Sequence, residues 1–555
     1  MAALRSRLLS FCLKPRHRVS SVLLCVLCGL TQTLFFLRDL RVLRDSVVKK
    51  KLFFTGNICF CWYNHNLFSV KAPGSPQAVF NAGRKFGRSV MARSTAMALC
   101  FIFMITAAVF PAFAADEDKF PFYPSLLNTS SGGFVHSDEF QDPGMCRICH
   151  KDIYNQWQGS MHSNAFVDPV FQAMWKLGEI ETKGETRNLC AGCHTPIGTV
   201  GKEVTFDPVE GVFKTGKVAS KGVQCDFCHT VVASTWKDTP TYDPGNASLL
   251  MDPGDVKRGP FKDSDSPGHD TAYSELHTAA EFCGSCHNVF HPVTKFPMER
   301  TYDEWKQSVY ARVGIVCQDC HMMPLEKAIE AARTLKKPVN PGKASPLGPM
   351  RDSIYTHEFV GGNFAVTAIL GADKHSELAK KRLKSAAELS IETPDKFITG
   401  KIARFNVEVF NIGAGHNLPT SLTEVRQMWL DVTVSDEKGN VIYRSGALDN
   451  HGSIDPDATI FRAVAVDEDG NVTHKPWKIS HFKSVRVIPP KGSDISKYAF
   501  VVPSKIRKGE LVIDAVLKYR SFSQELADEL LGDEAPKVPV VDMTAVKRKV
   551  TVARK

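Results

Sequence analysis

The sequence predicts an α + β fold in separate domains: a mostly helical and loop-rich part, then an all-β, sandwich-like C-terminal part. Three observations predict it. Ten of the 16 cysteines fall between residues 146 and 320 in one repeated spacing. From about residue 400 the apolar period becomes two. A length of 555 residues exceeds one ordinary core. With 43% hydrophobic and 23% charged residues, the composition is globular.

Residues 91–114 read as a secretory signal peptide. Arg93 gives a basic start, Met97 to Phe110 an apolar run, and Ala112-Phe113-Ala114 a small-residue cleavage pattern. The run is too short to span a bilayer, which favours cleavage before Ala115 over a membrane anchor. Residues 1–90 lie upstream of that signal and read as a mis-assigned extension from a start placed too early. The competing reading is an extra transmembrane segment over Ser21–Leu37. Cys12, Cys25, Cys28, Cys59, Cys61 and Cys100 follow no chemical pattern. Residues 1–114 hold 16 Lys plus Arg against 2 acids, whereas the rest hold 53 basic and 57 acidic residues. A nucleic-acid partner would therefore rest on the first fifth of the chain alone, and none is expected.

The repeated spacing is Cys-x-x-Cys-His. It occurs at Cys146/Cys149/His150, Cys190/Cys193/His194, Cys225/Cys228/His229, Cys283/Cys286/His287 and Cys317/Cys320/His321. Two thiols so spaced form thioethers to the two vinyl groups of one haem, and the next residue places an imidazole under the iron. Five covalently attached haem c groups are thus expected, with these five histidines as proximal ligands. Structural zinc combines two cysteine pairs and needs no histidine after each; a thiol redox motif is usually single. Export agrees with haem attachment outside the cytoplasm and leaves no spare thiol in an oxidising compartment. The expected location is the periplasm or the outer surface.

Residues 146–321 would have a radius of gyration of about 16 Å as a compact chain. Five macrocycles in that volume must lie close together and replace much of the core. The sixth iron ligand decides the chemistry: a second histidine leaves electron transfer, an open position permits turnover. Candidates are His162, after Ile153 and Trp157 at helical spacing, His269 and His277 before the fourth motif, His357 beside Gly361 and Gly362, and His416 in Gly-Ala-Gly-His-Asn-Leu-Pro. His136, His291, His375, His451, His474 and His481 read as surface residues, with His291 a substitute ligand.

The segments CRICHKDIYNQWQGSMH, LCAGCHTPIG, GVQCDFCH, EFCGSCHNV and TYDEWKQSVYARVGIVCQDCHM resemble exported bacterial multihaem cytochromes c. That group includes the tetrahaem carrier of ammonia oxidisers and is related to hydroxylamine oxidoreductase. The resemblance runs from about 140 to 365. It implies proximal ligation as assigned and distal roles for His162 and His357. The chain departs in having five motifs rather than four or eight. No motif has Lys in place of His, which weakens a nitrite-reductase reading.

The expected layout is 115–365 for a pentahaem cytochrome domain, 366–398 for a connecting helix and 399–555 for the β part. Prolines 338, 341, 346 and 349 mark a linker or wrapping loop. A helix is expected from Asp373 to about 390, with Leu389 on its apolar face. Ala403 to Val409, Met428 to Val434 and Leu511 to Tyr519 alternate as strands, with a turn at 437–440 and a strand from Val441. The functional reading is an electron carrier between redox-protein donors and acceptors, without an assigned catalytic residue. Its alternatives are an oxidoreductase acting on a small nitrogen or sulfur compound at one open haem, and a subunit of a cytochrome filament or membrane-associated electron-transfer complex.

Overall fold

Prolines, glycines and polar caps keep the helices of the first half short. The computed structural model describes residues 120–506 and 508–554. The expectations for residues 1–90, the signal peptide and the six unpatterned cysteines lie outside the described residues. Helix α1 (Pro143–Cys146) starts where the Asp142 carboxylate accepts from Gly144 N at 2.8 Å, with Pro143 in the first helical position. Helix α2 spans Lys151–Trp157. It carries Ile153 and Trp157 as expected, but Gly159 takes φ of +90° and His162 falls in the turn beyond. Asp168 caps α3 (Pro169–Glu181), accepting from Val170 N and Phe171 N at 2.9 and 3.2 Å. Then come α4 (Arg187–His194), α5 (Cys225–Thr230), α6 (Ala280–Gly284), α7 (Thr301–Lys306) and α8 (Cys317–His321). Residues 335–350 wrap back over the first motif, where the Ala344 carbonyl meets His150.

Helix α9 spans Asp373–Ala386 and stops short of the expected end. Leu389 lies in strand β1 (Ala387–Glu392), because that segment pairs antiparallel with β3 from Ala387↔Asn411 to Glu392↔Asn406. The ladder satisfies the backbone groups that the helix would have used.

The β-rich part contains β2 (Lys396–Ile398), β3 (Ile402–Asn411), β4 (Gln427–Asp436), β5 (Val441–Ser445), β6 (Ile460–Val466), β7 (His481–Arg486), β8 (Ser493–Val501), β9 (Gly509–Arg520) and β10 (Val541–Ala553). One sheet has the order β1-β3-β8. The other has the order β2-β10-β9-β4-β6-β7, with β5 also paired to β4. The period-two pattern sets the register: Met428, Leu430, Val432 and Val434 stand opposite Tyr519, Leu517, Ala515 and Ile513. These side chains, together with Phe405, Val407 and Val409 of β3 and Ala379, Leu383 and Ala386 of α9, form one core shared by both sheets.

The described residues all fall in one compact unit. Polar contacts tie the helical and β-rich parts. Glu181 of α3 takes Lys475, Lys478 and the Trp477 indole N–H at 2.6, 2.8 and 3.0 Å. The Lys491 ammonium donates to the Ala332 carbonyl at 2.8 Å. Among the described residues, no helix is long and apolar enough to cross a membrane.

Leu517 is fully buried at the centre of the shared core. Leu517→Ala should cost ~2–5 kcal/mol, because the interlocked strands cannot collapse onto the cavity left behind. Chemical denaturation checks this. A loss under ~1 kcal/mol would show that the core packs elsewhere.

Candidate metal centre

One helical turn builds each of the five attachment sites. Positions i, i+3 and i+4 of a helix share a face, so two sulfurs and one imidazole emerge together. His150 N donates to the Cys146 carbonyl at 2.8 Å and His287 N to that of Cys283 at 2.9 Å, closing the turn in the first and fourth motifs. The second, third and fifth motifs lie on α4, α5 and α8. Gln224 caps α5 and the Asp319 carboxylate accepts from Val316 N at the start of α8.

All ten cysteines are free of disulfides and line one cavity of about 1570 Å³. An ordinary small-molecule site has roughly 300–1,000 Å³. The ten histidines singled out above line the same cavity, joined by His375. His287 shows what that means locally. Protein surrounds it, yet 53% of its side-chain surface is accessible, and the open part is cavity wall.

The proximal imidazoles are oriented alike. The Nδ1–H of His150, His194, His229 and His321 donates to the carbonyls of Ala344, Ala165, Arg258 and Val360 at 2.8, 2.9, 2.6 and 2.7 Å. His287 Nδ1 instead faces the Glu299 carboxylate at 3.5 Å. Engaging Nδ1 fixes the tautomer and leaves Nε2 for a metal. Burial first, and then neighbouring imidazoles or Arg382, push His162, His321 and His357 down to about 3. Burial likewise takes His194 down to about 4. They are therefore held neutral, the state in which imidazole binds a metal. His287 is the exception: burial would lower it, but the Glu299 hydrogen bond and charge raise it.

Four imidazole pairs stand across the cavity. Ring centres are 6.3 Å apart for His150–His269, 6.4 Å for His229–His357, 6.2 Å for His287–His162 and 6.2 Å for His321–His416. Two imidazoles on opposite sides of one metal, with metal–nitrogen bonds of about 2.0–2.1 Å, have centres ~6.3 Å apart. His277 also lies near His229, at 5.5 Å, but its Nε2 donates to the Cys228 carbonyl at 3.0 Å. His194 differs from the other four. Its ring partner is Phe171, stacked at 3.5 Å with 2° between the planes. Thiol pairs, oriented imidazoles and the large shared cavity all fit haem c.

His416 is held in place from both parts. The Asn411 amide donates to its carbonyl at 2.9 Å, and Glu304 of α7 accepts from Asn417 N and the Thr420 hydroxyl at 3.1 and 2.6 Å. Gly413 is required nearby, since a Cβ there would stand 2.4 Å from the Ser385 carbonyl. His375 is not a surface residue: it is 6% exposed and its Nε2 donates to the Gln156 carbonyl at 2.8 Å. His291 caps its own turn through Nδ1. Sequence reading missed Phe171, Phe359 between His162 and His357, Glu299 and Glu304. None belongs to a motif, so only the fold brings them to the site.

A family model described as cytochrome c554 and c-prime matches residues 145–230, which contain the first three motifs. Among solved structures, a penta-heme cytochrome c552 from Thermochromatium tepidum is similar over 74% of this chain and 99% of that chain, with 18% identity and a TM-score of 0.51. That likeness is one of fold. A CARDB domain from Pyrococcus furiosus matches 30% of this chain and 94% of that one, at 13% identity and a TM-score of 0.14.

Burial raises the Glu304 carboxyl from 4.5 to about 7, opposed by its bonds to Thr420 and Asn417. Between those values the unfolded chain has released its proton while the folded chain holds it. Stability from this group is therefore present below pH 4.5 and is lost as pH rises toward 7, by up to ~3 kcal/mol. Denaturation at pH 5 and pH 8 should show that Glu304→Gln removes this part of the slope. Identical slopes in both proteins would contradict the assignment.

Proposed function

We propose, from the premise that the chain is a multihaem c-type cytochrome carrying covalent haem c, that it is an exported pentahaem electron carrier of the periplasm or outer surface. The observation that carries this reading is the convergence of five Cys-x-x-Cys-His turns on one cavity, with imidazoles paired across it. When bound, haem supplies one-electron exchange at a potential set by axial ligand, burial and nearby charge. The chain's residues tether, orient and enclose it. The cysteines would hold it covalently; the Nδ1 bonds aim each proximal ring; His269, His357, His162 and His416 would pair with His150, His229, His287 and His321 in holding the irons.

Contacts between motifs support a continuous path. The Cys146 side chain lies beside that of Cys225, Cys193 beside Cys286, and Cys317 beside Cys283. Phe359 packs against both His357 and His162, at 5.5 and 4.3 Å between ring centres, and so links the third site to the fourth. The order is then first, third, fourth, with branches from the fourth to the second and fifth. Cys149, Met145 and Ile148 are open to the cavity that the first haem would fill.

A second reading has one specific observation in its favour. Among the described residues, the ring of His194 meets no second histidine, whereas the other four proximal rings do; Phe171 lies flat against the face of His194 rather than across an iron from it. The second site would then be open, and a small nitrogen or sulfur compound could react there. Electron paramagnetic resonance of the oxidised protein tests both. Four low-spin signals with one high-spin ferric signal favour an open site. Five low-spin signals in the native protein leave the carrier alone. His416→Met should alter one low-spin signal and its midpoint; an unchanged spectrum and titration would reject His416 as a ligand.

A further inference from the structure

The cationic side chains on the cavity wall are nearly all neutralised by the chain itself. Lys257 pairs with Asp226 at 2.5 Å, Arg258 with Asp252 at 2.6 Å and Arg351 with Asp263 at 2.6 Å. Arg426 donates to the Ser521 carbonyl at 2.9 Å and lies near Asp168 and Glu424. Arg382 of α9 is different. Protein encloses it, and the part of it that remains accessible is cavity wall. Its Nη2 donates to the Cys320 carbonyl at 2.7 Å, while its Nε–H is buried without a partner. Among the described residues no carboxylate acts on it. Glu377 of the same helix pairs with Lys380 at 2.7 Å instead. The one ionisable neighbour that favours its charge is the Cys320 thiol, which becomes an uncharged thioether once haem is attached.

An enclosed guanidinium without a counter-charge is destabilising, and a leucine would fill the same space without that cost. The occupant of the cavity supplies what is missing. Each haem carries two propionate carboxylates, and the planar fork of arginine binds carboxylate through two parallel N–H bonds. We propose that Arg382 is a haem-binding residue: its free N–H groups take a propionate of a haem in this cavity, and its charge raises that haem's midpoint potential. The sign follows because a nearby cation disfavours the oxidised, more positive iron. Helix α9 thereby joins the β-rich core, through Ala379 and Leu383, to the cofactor array. The proposal rests on the haem reading above.

Spectroelectrochemical titration of the haem-loaded protein tests it, with intact mass measured first. With five haems attached, Arg382→Gln should lower one midpoint by about 59 mV, a tenfold change in a one-electron equilibrium, and leave the other four in place. Arg382→Lys should restore part of the shift. Unchanged midpoints in Arg382→Gln at full haem content would overturn the proposal. If Arg382→Gln does not fold, a crystal structure of the native haem-loaded protein decides. A propionate within hydrogen-bond distance of the guanidinium supports the proposal; water or a small anion there overturns it. Native protein with fewer than five haems would count against the pentahaem reading instead.

Discussion

A single turn of helix that presents two sulfurs and an imidazole on one face, used five times within 176 residues, constrains everything else in this chain. Each turn commits its local backbone to one flat apolar partner. The segments between turns can then be little more than loops, because core volume goes to rings rather than to side chains. The small apolar clusters around Phe122–Leu249, Phe166–Trp175 and Tyr310–Ile315 fit that view. They lie between attachment sites and do not form one continuous interior. The continuous apolar core lies in the β-rich part.

The β-rich part contributes more than stability. His416 stands 6.2 Å from His321, on a loop seated by Asn411 from one side and Glu304 from the other. Glu181 holds the loop around Trp477 against α3, the helix that carries Phe171 and Trp175. Lys475 and Lys478 hold that carboxyl down to about 2, although so exposed an ion pair adds little energy. Arg382 projects to the cavity from a helix whose other face belongs to the β core. Through His416, Trp477 and Arg382 the second half of the chain supplies part of the cavity wall.

The motif turns and the long strands were legible in the sequence, because spacing alone encodes them. Ala403, Phe405, Val407 and Val409 alternate on one face of β3 for the reason any half-buried strand does. Relations between distant segments were not legible. Leu389 fits a helical period as well as a strand period, and pairing with β3 decided between them. The helical spacing of Ile153 and Trp157 would allow a helix to run on to His162, but Gly159 with its positive φ ends α2 first. His375 looked like a surface residue on a polar helix, and only the tertiary contact with Gln156 buries it. Which histidine faces which, and that His194 faces Phe171, depends on loops far apart in sequence. Composition marks none of those encounters.

Mass spectrometry of the purified, processed polypeptide under denaturing conditions tests the central claim most directly. The account predicts a mass equal to the chain plus five haem groups, with haem-bearing peptides at each of the five Cys-x-x-Cys-His turns and no free thiol. A colourless protein with ten alkylatable cysteines, or with a bare metal ion in place of porphyrin, would contradict it.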